Sequence, residues 1–218
     1  MSKWPYVALV TLLVGLPTSA SAAPERMWAV DVGLRETFVR DASFDPYSRN
    51  DLLPQASIGG SRTLWANDRF SLAPGLRWDF GASSAVARGA DTRLAAHRLT
   101  VPVEGRLHLD DWLFAFGRLA PGAVWQSARV TDASLAEPLS HSGWGFAGDL
   151  SAGASLRLFG SAPAFWLTPE LGYAFAARGA GGLSPQVDED DPRQFGALGL
   201  TGVSLSGWFF RAGMTATF

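Results

Sequence analysis

The chain has 218 residues, with 18 cationic and 20 acidic side chains, a net charge of −2 and no cysteine, so neither a disulfide framework nor a thiolate metal site is available. Lys3 is the sole lysine, and the arginines that make up the other cations are interspersed with carboxylates, which excludes the basic face of a nucleic-acid-binding protein. Beyond residue 22 no stretch approaches 18 consecutive apolar residues, which excludes a helical membrane protein.

The first element is Lys3, an apolar run from Tyr6 to Leu16 and small residues closing on Ala20-Ser21-Ala22. This is the anatomy of a secretory signal peptide cleaved after Ala22; the run is far shorter than the roughly 20 residues of a spanning helix. Residues 1–22 are read as an export signal and residues 23–218 as one domain, long enough to bury a substantial core.

Past the signal the sequence has a period of 2. In 28–38, Trp28, Val30, Val32 and Leu34 alternate with Ala29, Asp31, Gly33 and Arg35. From 70 to 81, Leu72, Leu76, Trp78 and Phe80 alternate with Ser71, Arg77, Asp79 and Gly81. From 97 to 109, Leu99, Val101, Val103 and Leu107 alternate with Arg98, Glu104, Arg106 and His108. From 146 to 158, Leu150, Ala152, Ala154 and Leu156 alternate with Asp149, Ser151, Gly153 and Arg157. Such alternation marks strands with one hydrocarbon face and one small or charged face.

Three segments repeat one another: "RFSLAPGLRWDF", "FGRLAPGAVWQS" and "AFWLTPELGYAF", with their leucines at 72, 119 and 167. The even spacing points to one supersecondary unit used several times. Pro74, Pro121 and Pro169 share one place in the repeat and predict a bulge or twist at one level of the sheet. Around Leu119 the faces are mixed, because Phe114 and Phe116 take the parity that Arg118 assigns to the polar side.

A soluble sandwich also alternates, and three features decide against it. Short turns near 66–69, 109–111 and 160–163 alternate with polar loops near 40–52, 83–92, 127–143 and 178–195, the asymmetry of a transmembrane barrel. Strand interiors run to about the 9 to 11 residues that a tilted strand needs to cross a bilayer. The tryptophans fall near strand ends: Trp28, Trp65, Trp112 and Trp166 beside the short turns, and Trp78, Trp125, Trp144 and Trp208 toward the long loops. Two aromatic girdles against outer-membrane lipid are the pattern an amphipathic indole favours.

With these strands, loops and girdles the chain resembles the small eight-stranded outer-membrane β-barrels of Gram-negative bacteria, of OmpA and OmpX type. The resemblance implies an all-β, antiparallel, up-and-down transmembrane barrel in the cell outer membrane. It also implies that the closing strand "GWFFRAGMTATF", with Trp208, Phe210 and the terminal Phe218, is the signal read by the barrel assembly machinery. Residues 195–218 are long enough for two strands; an even strand count favours a single descending strand ending at Phe218, hence eight.

Eight strands enclose an interior that side chains just fill. The polar faces send Asp31, Arg35, Arg77, Asp79, Arg98, Glu104, Arg106, His108, Arg118, Asp149, Arg157, Glu170 and Arg211 into it. An unpaired charge there is costly, so the first reading is a lumen plugged by ion pairs in a protein with a structural or surface-interaction role, its surface partner unspecified. A narrow channel for small solutes is the alternative, because charged rings also set selectivity.

A lipid-modifying hydrolase is a second alternative, resting on "EPLSHSGW" with Glu137, Ser140, His141 and Ser142. Neighbours on a strand point to opposite faces, so His141 is poorly placed to activate either serine, and the chain is read as a non-enzyme. The acidic run 187–192 lacks the spaced, glycine-bearing ligands of a calcium loop. No metal-ligand spacing occurs, and nothing calls for a cofactor.

Overall fold

The computed structural model describes residues 28–87, 89–132, 138–177, 184–185 and 202–218. The period of 2 resolves into eight long strands. These are β1 (Trp28–Val39), β2 (Leu52–Arg62), β3 (Phe70–Ala87), β4 in two segments (Ala90–Thr100 and Val103–Asp110), β5 (Leu113–Thr131), β6 (Leu139–Phe159), β7 (Ala164–Ala176) and β8 (Gly207–Thr217). Each pairs antiparallel with the next. The ring closes where β1 meets β8, from Ala29 opposite Thr217 to Val39 opposite Gly207. Within the membrane belt, closure leaves no edge to attract a foreign strand.

Among the described residues of the final segment, 202–218, there is one strand, in keeping with an even count; residues 202–206 lead into it without strand pairing of their own. At the short-turn end, the Asn67 side chain accepts from the Arg69 and Phe70 amides at 3.0 and 2.8 Å, an Asx-type turn that reverses the chain in four residues. Phe218 lies at this end, its amide donating to the Trp28 carbonyl at 2.9 Å.

The opposite end differs from the expected loops. Residues 83–92 are strand: β3 runs to Ala87, β4 begins at Ala90, and the two residues stand opposite each other. Gly89, at φ 89°, supplies the positive φ that so tight a hairpin needs. Strands β3, β5 and β6 have 18, 19 and 21 residues, about twice what a bilayer crossing requires, so β3 to β6 rise as a sheet extension above the belt. The expected loop at 127–143 is likewise strand up to Thr131 and from Leu139. Most of 178–195 lies outside the described residues.

The prolines are only partly bulge devices. The β2–β3 register slips by one between Ser61 opposite Gly75 and Trp65 opposite Leu72, and Pro74 sits at that slip. Pro121 and Pro169 stand in unbroken register, opposite Gly148 and Ala212, and the irregularities of β4–β5 and β6–β7 fall at 108–110 and 157–159. A barrel strand gives up one ladder bond at a proline without shifting its neighbours.

The two faces separate by burial. Leu34, Leu76, Leu119, Leu150 and Leu171 are exposed on the outside, while Arg35, Arg77, Asp79, Arg98 and Glu170 are buried within. Burial is inverted relative to a water-soluble protein. Trp28, Trp65 and Trp112 ring the short-turn end and Trp78, Trp144 and Trp208 the other, all exposed, with Trp125 half-buried beside them.

Candidate functional site: the barrel interior

Inward-facing parity on seven of the eight strands, all but β2, brings together one connected set of charges. Asp149 on β6 accepts from Arg98 at 2.7 Å and Arg35 at 2.8 Å. Arg35 also reaches Asp79 at 2.9 Å, and Asp79 in turn accepts from Arg211 at 2.9 Å. Arg211 bridges onward to Glu170 at 2.9 Å, which Arg118 also contacts. Arg118 continues to Glu104, its Nε 3.0 Å from Oε2, and Glu104 meets Arg106. Arg77 joins from the side, 3.1 Å from Asp31 and 3.7 Å from Glu170.

Each carboxylate therefore has a guanidinium within reach, and hydroxyls fill remaining lone pairs: Ser57 donates to Asp79, and Ser151 to Glu170 at 2.6 Å. Such saturation is what makes buried charge tolerable, because a lone ion in a poorly hydrated interior forfeits its hydration with nothing in return. Fork-shaped guanidiniums suit the task, each offering several fixed donors to more than one acceptor.

Apolar layers lie on both sides of the charges. Toward the short turns, Phe114, Phe116, Ala164 and Trp166 form a buried cluster, with the Arg118 guanidinium 4.8 Å from the Phe116 ring centre. The mixed faces around Leu119 thus have a simple meaning: Phe114 and Phe116 do point inward. Trp166, expected in a girdle, also turns inward, because it shares the parity of Glu170; its indole Nε1 donates to Thr217 Oγ1 at 3.2 Å. Arg157, expected among the interior charges, stands exposed at this mouth, 6.0 Å from the Trp166 ring centre. The β6–β7 register slips beside it, and the strand end carries it clear of every carboxylate in the network.

At the far end a second cluster contains Val39, Phe44, Tyr47, Leu53, Leu94, Val124, Val203 and Leu205. Phe44 and Tyr47 come from a 3-10 turn, Ala42–Tyr47, in the β1–β2 connection, started by the Asp41 side chain accepting from the Ser43 amide at 3.0 Å. The turn is tied to the wall by Ser83, which donates to the Tyr47 carbonyl at 2.7 Å, and by Thr92, which donates to the Pro46 carbonyl. Burial pushes the pKa of the Tyr47 hydroxyl up from its ordinary value. Leu94 and Val124 were readable from parity, since they continue the faces of Arg98 and Gln126. Nothing in the periodicity marks Phe44 and Tyr47, which lie in a loop.

His97 and His108 fall on opposite faces of β4: His97 packs outward among Trp78, Phe80 and Trp125, and His108 pairs with Ser71 at 2.9 Å. Ser140, His141 and Ser142 follow one another along β6, so the strand alternates them between faces; Glu137 lies outside the described residues, as does the acidic run 187–192. Among the described residues no group of histidines and carboxylates could hold a metal ion.

No protein-family model and no curated protein sequence matches the chain. Solved structures do. The attachment invasion locus protein Ail of Yersinia pestis, determined in complex with the heparin analogue sucrose octasulfate, is similar over 89% of this chain and 100% of its own, with a TM-score of 0.51 and 11% identity. Neisserial surface protein A covers 91% of this chain at a TM-score of 0.47 and 11% identity, and OprG of Pseudomonas aeruginosa 92% at 0.48 and 13%. At such identities the likeness is one of fold. A closed ring whose leucines and valines face outward and whose ions face inward has its stable place in hydrocarbon rather than water, and the chain has the fold of the small eight-stranded outer-membrane β-barrels of Gram-negative bacteria.

Proposed function

We propose that the protein is a non-conducting outer-membrane barrel with a structural or surface-interaction role, its lumen plugged by its own side chains. The observation that carries this reading is the continuity of the charge network from Arg98 to Arg106 between two apolar clusters. A water-filled pore hydrates its lining charges separately and has no need to neutralise each of them. Here every carboxylate of the network is held by an arginine, and Phe44 and Tyr47 close the outer mouth. The sheet extension of β3 to β6 supports contacts above the membrane with a surface partner. Residues 1–22 serve export, and Trp208, Phe210 and Phe218 serve recognition by the assembly machinery. A narrow channel is the second reading, favoured by the charge of the lumen alone.

Liposome swelling tests the proposal. Vesicles carrying the protein should exclude small sugars and amino acids as well as empty vesicles do; rapid swelling in either solute would favour the channel.

A further inference from the structure

Above the upper tryptophans, the outward face of the sheet extension carries a row of hydrogen-bond donors. Ser84 stands opposite Arg93, Arg93 opposite Arg129, and Arg129 opposite Ser140. Four neighbouring strands, β3 to β6, thus place Ser, Arg, Arg and Ser side by side. Both arginines are exposed, and no carboxylate stands directly opposite either of them on the neighbouring strands. Like charges directly opposed on neighbouring strands destabilise the pairing, so the arrangement carries a cost that the single carboxylate nearby, Asp91, two residues along β4 on the same face and diagonal to Arg129, offsets only in part.

Ser84, Arg93 and Arg129 of this row line an open cleft of about 690 Å³, shared with Arg49 from the β1–β2 connection, Thr131 and one carboxylate, Asp91. Three guanidiniums against one carboxylate make the cleft positive in a chain whose net charge is −2. Its depth is set by the girdle. Arg129 lies four residues beyond Trp125 on β5, and Arg93 four residues beyond His97, which faces Trp125. With a rise of about 3.3 Å per residue and a tilt of about 40°, the arginines stand about 10 Å above the tryptophans. Indoles mark the edge of the hydrocarbon, so the row looks sideways into the headgroup layer.

We infer that Arg49, Arg93 and Arg129 form a clamp for the phosphate groups of outer-leaflet lipid headgroups. A phosphate between Arg93 and Arg129 turns a repulsion into two charge-assisted, bidentate contacts, and the Ser84 and Ser140 hydroxyls flank it with further donors. Free phosphate offers the same chemistry; the sideways aspect and the depth select the lipid.

The test uses the folded, full mature chain in alkyl maltoside micelles, which carry no phosphate, titrated with lipid A, a phosphorylated glucosamine disaccharide lipid, or with inorganic phosphate. Lipid A should raise the thermal unfolding midpoint, and Arg93→Gln or Arg129→Gln should weaken its apparent affinity about tenfold or more. Without lipid A each variant should unfold at the parent's temperature or above it, because a like-charge contact has gone. This opposite sign separates a ligand site from a structural role. Inorganic phosphate at matched concentration should leave the midpoint unchanged. Should a strand variant fail to fold, Arg49→Gln, in a connection outside the strands, should show the same loss of affinity. Equal response of parent and variants to lipid A overturns the clamp, and a full shift from inorganic phosphate alone overturns the lipid assignment.

Discussion

Glu170 and Arg211 stand directly opposite each other on β7 and β8, and their side chains meet across the ladder at 2.9 Å. The contact ties the closing strand to its neighbour, and the same carboxylate also holds Arg118. One residue therefore links β5, β7 and β8 through the interior, in addition to the backbone ladder.

Replacing Glu170 with alanine should leave Arg118 and Arg211 short of a partner and lower stability by about 3–5 kcal/mol, the range for breaking a buried pair from one side. Glu104→Ala, which takes from Arg106 its carboxylate and from Arg118 one of its two, should do the same. Urea unfolding of the barrel in vesicles measures both; parent-like midpoints would mean that water solvates the orphaned cations.

Lipid-facing and lumen-facing positions should respond in opposite ways to size and charge. Arginine at Leu76, Val103 or Leu156 should cost about 2–4 kcal/mol near the bilayer midplane. Gly117→Ala on the outer face should be nearly neutral, since an added Cβ meets nothing within 4 Å. In Gly153→Ala the added carbon runs into the Pro169 carbonyl and the Phe116 ring, which should cost about 1–3 kcal/mol, as overpacking does. The same unfolding assay ranks them, and equal tolerance at Gly117 and Gly153 would contradict the faces drawn above.

Tyr47 makes the outer seal sensitive to alkali. Because burial raises its pKa in the folded state, the fold holds the phenolic proton more tightly than the unfolded chain does. Its contribution is fully present below the unfolded value of about 10 and is lost as pH rises through the folded value. Tyr47→Phe should flatten the decline in unfolding midpoint above about pH 10; an unchanged decline would place its cause elsewhere.

Removing Phe218 should reduce the amount of barrel inserted in cells while leaving refolding in detergent nearly intact. Its side chain is exposed, and its amide makes a single ladder bond to Trp28, so the folded state loses little. Equal cellular levels of the two forms would remove Phe218 from the proposed assembly signal.

Much of this architecture could be read from a period of 2. Leu76 and Arg77, or Leu150 and Asp149, announce their faces because a strand has only two, and hydrocarbon and water sort the residues between them. Parity misleads where a competing signal points elsewhere or where the periodic segment ends. Nearness to a turn assigns Trp166 to a girdle, although its parity is that of Glu170. Arg157 has interior parity, but a register slip at the strand end carries it out of the network. Residues 83–92 look like loop in composition, yet Gly89 allows a hairpin and the strands continue to it. Phe44 and Tyr47 belong to no periodic segment, and only the closed ring shows that their connection folds over the mouth. The partners within the network were also hidden, because which arginine meets which carboxylate depends on the register of strands distant in sequence.

The central claim is that side chains fill the lumen, and single-channel recording in a planar bilayer tests it most directly. The unmodified protein, inserted and verified as folded by its heat-dependent gel mobility, should give no steady conductance in potassium chloride at either polarity. Stable, well-resolved current steps from that protein would contradict the plug and assign the lumen to small-solute passage.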